Sequence, residues 1–113
     1  MSLDEYFSTG PKREKPIFEA VMAHLDTVGP IHVEPVSVGI FLKRAKSFAQ
    51  LRPMRDWVAL SFSLPRTVRH PLIKRKVVEY HGKYHHVVNL QGPEDLDDDI
   101  RNWLTEAYFN SPE

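Results

Sequence analysis

The chain has 113 residues, of which 42% are hydrophobic and 27% are charged, and it contains no cysteine. This length and composition predict one folded domain with its own core, and they exclude disulfide frameworks, zinc ribbons and cysteine nucleophiles. No apolar run approaches the roughly twenty residues that a bilayer span needs. The acidic first five residues lack the basic and apolar regions of a signal peptide. We therefore expect a cytoplasmic protein that makes no membrane contact.

The formal net charge is zero, but the charges are segregated along the chain. Residues 31–92 contain eleven basic and three acidic side chains, a net of +8. Residues 1–30 have a net of −2, and residues 93–113, with one basic and seven acidic side chains, a net of −6. A polarised distribution of this kind concerns electric fields and partners rather than the fold.

The N-terminal part predicts an arm and a helix. Residues 1–12 are expected to form an arm or short helix, and residues 13–113 a single α+β domain. From Pro16 onward, apolar residues recur with the period of a helix, and Gly29 followed by Pro30 is typical of a helix end. The expected apolar stripe consists of Ile17, Phe18, Val21, Met22, Leu25 and Val28.

The middle of the chain predicts antiparallel strands. Residues 38–43 and 57–64 alternate between apolar and other side chains, which is typical of half-buried strands. A shorter strand is expected at residues 48–52. Residues 31–34 predict an edge strand that ends at Pro35.

A second hairpin is expected from residues 74–80 and 84–90. Its turn uses His81-Gly82 in a type I′ geometry or Gly82-Lys83 in a type II′ geometry. Either register places Glu79 with His86 on one face and Tyr80 with His85 on the other, whereas a three-residue bulged loop would exchange the partners.

The last element is a helix predicted to start at Pro93, with an apolar stripe that includes Leu96, Ile100 and Leu104. The acidic residues at 94–99 are expected to stabilise the start of this helix rather than to bind metal. The order of elements predicts an α+β fold: an antiparallel sheet of about five to six strands, with an N-terminal and a C-terminal helix packed on one face.

The basic middle segment supplies the leading candidate site. Cations at successive turns could meet phosphates while exposed Phe41 or Trp57 stacks on bases. The more common role of such cations is to keep a sheet soluble and to block edge pairing. The candidate ligand-binding residues are Lys43, Arg44, Arg52, Trp57, Arg75, Tyr80 and His85.

The histidines of the second hairpin are a weaker candidate. Adjacent His85 and His86 point to opposite faces of a strand, which disfavours one metal site, and His86 is expected to pair with Glu79 beside the core. The chain has no recognised catalytic motif, and we expect no cofactor and no bound metal.

Several stretches together resemble a bacterial family known as domain of unknown function 5655. The likeness covers nearly the whole chain from about Pro16, and it implies a helix-flanked sheet without assigning an activity. Some relatives look to be fused to nuclease-type domains. By analogy, this favours nucleic acid as the partner. The stretches are residues 17–21, 33–35, 38–49, 70–71, 84–88 and 95–97, with Trp103, Leu104, Ala107 and Tyr108.

These observations support three hypotheses of different classes. The first is a non-enzymatic binding module for an anionic partner, with nucleic acid as a candidate. The second is a small-molecule or metal-dependent enzyme with a pocket formed by Glu79, Tyr80, His85 and His86. The third is a homodimer that associates through Trp57 and the open sheet face.

Overall fold

The computed structural model describes residues 1–111. Their strands form one antiparallel sheet in the order β1-β2-β3-β4-β6-β5, and helices cover one face of it, which confirms the predicted α+β class. Within these residues no helix is both long and apolar enough to cross a bilayer. The elements are α1 (Leu3–Phe7), α2 (Glu14–Leu25), β1 (His32–Val36), β2 (Gly39–Lys43), β3 (Ser47–Pro53), β4 (Val58–Leu64), β5 (Val78–Tyr80), β6 (Lys83–Leu90) and α3 (Asp98–Asn110).

The strand register gives the sheet two chemically different faces. One face, here the helix face, carries fully buried apolar rows, such as Ile40, Leu51, Leu60 and Val88, and packs against α2 and α3. The opposite face, here the open face, carries the intervening side chains. Its rows across β3, β4 and β6 are Arg52–Ala59–Asn89, Gln50–Ser61–Val87 and, on β4, β6 and β5, Ser63–His85–Val78.

The predicted end of β1 and the predicted start of the C-terminal helix are wrong. β1 does not stop at Pro35 but continues to Val36, with Pro35 opposite Ile40. A proline is tolerated there because β1 is an edge strand and its second side needs no N–H donor. The C-terminal helix does not start at Pro93: a 3₁₀ turn, Pro93–Asp95, comes first. α3 then begins behind Asp97, whose side chain accepts a hydrogen bond from the backbone N of Ile100 at 3.0 Å.

For the second hairpin, the predicted turn is confirmed and the predicted bounds of the first strand are wrong. Tyr80 pairs with Lys83, and His81 and Gly82 have φ of 52° and 78°, as a type I′ turn requires. This register confirms the predicted sorting of the faces. However, β5 contains only Val78–Tyr80, so residues 74–77 are not a strand.

The chain leaves the sheet between Leu72 and Val78. The carbonyl of Leu72 accepts a hydrogen bond from the backbone N of Asn89 at 3.0 Å, while Val78 pairs with His85. The five residues 73–77 therefore run alongside only three residues of β6, 86–88. Because the side of residues 73–77 is longer, it must bow outward. We call residues 66–77 the wall segment.

Candidate binding cleft on the open face

The bowed wall segment forms one side of a solvent-open cleft of about 590 Å³ beside β6. This volume is within the range of small-molecule sites, roughly 300–1,000 Å³. Asn89 belongs to the open face, and continuing the register from Val58–Leu90 brings Trp57 opposite Gln91 on the same side. The residues lining the cleft are Trp57, Leu72, Lys74, Arg75, Asn89, Gln91 and Asp95.

The polar groups of the cleft are largely without protein partners. Within residues 1–111, neither Lys74 nor Arg75 makes an ion pair, and the side chains of Asn89 and Gln91 make no hydrogen bond. Asp95 is the exception, since its Oδ2 accepts a hydrogen bond from the backbone N of Gln91 at 2.9 Å. A cleft with unpaired cations and free amides can bind a ligand without first breaking contacts of its own.

Two histidines hold the wall segment in place by accepting backbone hydrogen bonds. Nε2 of His86 accepts from the N of Val68 at 3.1 Å, and Nδ1 of His70 accepts from the N of Leu72 at 3.0 Å. Because Nδ1 of His70 is an acceptor, Nε2 carries the proton and donates it to Oδ2 of Asp97 at 2.7 Å. The wall segment is thereby attached both to β6 and to the start of α3.

His86 is fully buried, and its predicted pairing with Glu79 is wrong. Glu79 lies opposite Tyr84, and its carboxylate accepts a hydrogen bond from the N of Gly82 in the turn instead. The ring of His86 instead stacks on Phe62 at 5.4 Å between centroids, and its Nδ1 makes no regular hydrogen bond within residues 1–111. Burial lowers the pKa of His86, and the backbone of Tyr84 opposes this shift too weakly to reverse it.

Two of the predicted site residues, Lys43 and Arg44, do not line the cleft and instead contact other secondary-structure elements. Nζ of Lys43 lies 2.7 Å from Oε2 of Glu34, and this hydrogen bond lowers the pKa of the Glu34 carboxyl. Arg44 lies over the ring of Tyr108 at 4.3 Å and donates to the carbonyls of Tyr108 and Ser111 at 3.0 and 3.2 Å. Arg44 therefore binds the carbonyl end of α3, where a cation is favourable.

A model of the family described as domain of unknown function (DUF5655) matches residues 3–111. The chain belongs to the DUF5655 family. The searches of curated proteins and of solved structures found no match for it. The family description names no activity, so the function of this DUF5655 domain has to be argued from its geometry.

Two of the predicted residues line the cleft of the DUF5655 domain, and a third flanks it. Trp57 and Arg75 line it. Arg52 lies in the same row as Asn89, across Ala59. Two interstrand spacings, about 10 Å, separate the backbones of Arg52 and Asn89. Arg52 therefore flanks the cleft on the side away from the wall segment, and it makes no ion pair within residues 1–111.

The other two predicted residues, Tyr80 and His85, share the open face but lie toward the hairpin turn. The His85 side chain reaches solvent, but burial of the part of the ring against the sheet, and then the charge of Arg75, lower its pKa. The predicted enzyme pocket of Glu79, Tyr80, His85 and His86 does not form. His85 and His86 lie on opposite faces of the sheet, and the Glu79 carboxylate accepts a hydrogen bond from the turn. Among residues 1–111, no three potential metal ligands are grouped.

Sequence reasoning missed most of the cleft lining. Asn89 and Gln91 could have been found, because they alternate with buried Val88 and Leu90 and therefore share the face of Trp57. The predicted strand at residues 74–80 includes Lys74, whereas the structure places Lys74 in the bowed segment that lines the cleft. The sequence predicts that Asp95 stabilises a helix start, although the structure places it among the residues that line the cleft.

Proposed function

We propose that this DUF5655 domain is a non-enzymatic binding module for an anionic partner, with nucleic acid as the partner class. The binding site is the cleft beside Trp57. The observation that supports the proposal is the position of Lys74 and Arg75, which lie in one cleft with an aromatic ring and have no carboxylate paired to them within residues 1–111.

The chemistry of the cleft suits a phosphate-bearing ligand better than a bare hydrophobic one. Lysine and arginine contact phosphate oxygens, and arginine does so with two parallel N–H groups. The flat ring of Trp57 offers a stacking surface, and such stacking is worth about 1–3 kcal/mol per base. Arg52 extends the positive surface across the sheet, so a chain of phosphates could cross the open face beside Trp57.

A titration of the domain with a fluorescently labelled single-stranded oligonucleotide, followed by anisotropy, tests this proposal. The double variant Lys74→Ala/Arg75→Ala removes two cations from the cleft. The matched control, Lys43→Ala/Lys46→Ala, removes two cations from the turn between β2 and β3, so the net charge changes equally. We expect the cleft variant to lose at least about tenfold in affinity and the control less than about twofold.

The salt dependence of the affinity separates direct phosphate contacts from general electrostatic attraction. On single strands, each phosphate neutralised contributes about −0.7 to the slope of log K against log salt, so the cleft variant should flatten the slope by about 1.4. Equal losses in both variants would show that net charge alone attracts the probe. No anisotropy change with the unmodified domain at low salt would overturn the proposal.

A further inference from the structure

The cleft is chemically polarised along β6. Lys74 and Arg75 belong to residues 73–77, which run alongside residues 86–88 of β6, whereas Oδ2 of Asp95 accepts a hydrogen bond from the backbone N of Gln91. The stretch of β6 beside residues 73–77 is centred four residues before Gln91, a distance of about 13 Å on an extended chain. Cations therefore occupy one end of the cleft and a carboxylate the other.

Polarity of this kind does not fit a ligand that is only an anion. A bare phosphate chain would satisfy Lys74 and Arg75 but would be repelled by Asp95 at the far end. A carboxylate accepts hydrogen bonds and donates none, so the group that it meets must carry N–H or O–H donors. The ligand must therefore have an anionic end and a hydrogen-bond-donating end.

We infer that the cleft takes a single unpaired guanine nucleotide, free or within a single strand, with its phosphate at Lys74 and Arg75 and its base edge at Asp95. This inference rests on the proposed function. Guanine presents two neighbouring N–H donors on its pairing edge, which match the two oxygens of a carboxylate. The amides of Asn89 and Gln91 offer both donors and acceptors for the remaining base atoms, and the base lies on Trp57.

The base must be unpaired for this geometry. In a duplex the pairing edge of guanine is occupied by cytosine and the ring faces are stacked on neighbouring bases. Neither Asp95 nor Trp57 could then be reached without flipping the base out, which costs a few kcal/mol. Duplexes should therefore bind this cleft only through their phosphates.

The first test asks whether the base contributes. The domain is titrated with a guanine-containing single strand, with an abasic strand of equal phosphate number, and with polyphosphate. We expect the base-containing strand to bind at least about tenfold tighter than the other two, the equivalent of about 1.4 kcal/mol. Trp57→Ala should remove this difference and Trp57→Phe should retain most of it. Urea unfolding of each variant identifies any loss that comes from misfolding.

The second test asks whether guanine is the base. Guanosine, inosine, adenosine and uridine monophosphates are titrated while the side-chain amide signals of Asn89 and Gln91 are followed by NMR. Inosine lacks only the exocyclic amino group of guanine, so its affinity should be about tenfold lower. Asp95→Asn keeps an acceptor for the backbone N of Gln91 but presents one oxygen instead of two, and it should bring guanosine and inosine to the same affinity.

The outcomes distinguish this inference from the proposed function. If the abasic strand and polyphosphate bind as well as the base-containing strand, the base inference is wrong and the anion site stands. If all mononucleotides bind alike, guanine selection is wrong. If no probe binds, both proposals fail. Binding of guanosine monophosphate as tight as that of the single strand would identify the free nucleotide as the source of the base.

Discussion

Two basic clusters in this domain look alike in sequence and differ in structure. The turn cluster (Lys43, Arg44 and Lys46) and the wall cluster (Lys74, Arg75 and Lys76) each place three cations within four residues. In the turn cluster, the first two cations contact a carboxylate of β1 and the carbonyl end of α3. In the wall cluster, no cation has an ion pair within residues 1–111. The local sequence does not separate a structural cluster from a ligand-binding one, because the partners come from distant elements.

The largest predicted effect that would separate the clusters is on stability. Replacing Arg44 with Met removes two hydrogen bonds from a charged group to the end of α3 and a cation–π contact with Tyr108. We expect the free energy of unfolding to fall by about 2 kcal/mol. The measurement is urea denaturation followed by circular dichroism.

The matched control is Arg75→Met, which makes the same chemical change in the wall cluster. Its unfolding free energy should stay within about 0.5 kcal/mol of the unmodified domain, because Arg75 is exposed and without an ion pair within the described residues. Equal destabilisation by the two substitutions would contradict the distinction between the clusters.

The second prediction concerns pH, because the supports of the two clusters differ in whether they titrate. Arg44 donates to carbonyl groups, whereas the wall segment donates to Nε2 of His86. Burial keeps the pKa of His86 below 6.5, so at pH values between its folded pKa and 6.5 the unfolded chain takes up a proton that the folded chain does not. Stability should therefore fall as the pH drops below about 6.5 and level off below the folded pKa.

The size of this effect is bounded by the linkage slope, about 1.4 kcal/mol per pH unit for one proton. Glu14 acts in the opposite direction, since burial raises its pKa and the hydrogen bond from Tyr6 only partly offsets this. The variant His86→Gln keeps Glu14. The difference in stability between it and the unmodified domain therefore isolates the contribution of the histidine. The measurement is the difference between the two stability–pH curves, together with hydrogen exchange at the N of Val68. A constant difference from pH 7 to pH 5 would show that His86 does not titrate as expected.

The comparison also shows which parts of the fold and site the sequence could predict. Alternation along β4 and β6 is a local property, so the faces of Trp57, His85 and His86 were predicted correctly. The departure of the wall segment from β6 was not predictable, because residues 74–80 contain the strand formers Val77, Val78 and Tyr80 and no glycine or proline that would end a strand. The contact that attaches the wall segment to β6, from Val68 to His86, joins residues 18 positions apart. The contact of Arg44 with Tyr108 spans 64 positions, beyond any local pattern.

The smallest predicted effect concerns the link between the wall segment and α3. Asp97 caps α3 through Oδ1 and accepts a hydrogen bond from Nε2 of His70 through Oδ2. Burial acts to raise the pKa of Asp97, but these two hydrogen bonds hold it low. Asp97→Ala removes both contacts and should cost about 1 kcal/mol of unfolding free energy. Asp97→Asn keeps a side-chain oxygen for the cap and should recover most of that loss.

Neither substitution at Asp97 leaves an acceptor for Nε2 of His70, whereas only Asp97→Asn keeps the cap of α3, and this difference separates capping from anchoring. An asparagine that caps Ile100 through its oxygen turns its NH₂ group toward Nε2 of His70, where two donors would meet. Oligonucleotide binding should therefore weaken in Asp97→Asn as well as in Asp97→Ala, because the wall segment carrying Lys74 and Arg75 loses the same anchor in both. An affinity that recovered in parallel with stability would mean that the wall cluster keeps its position without His70.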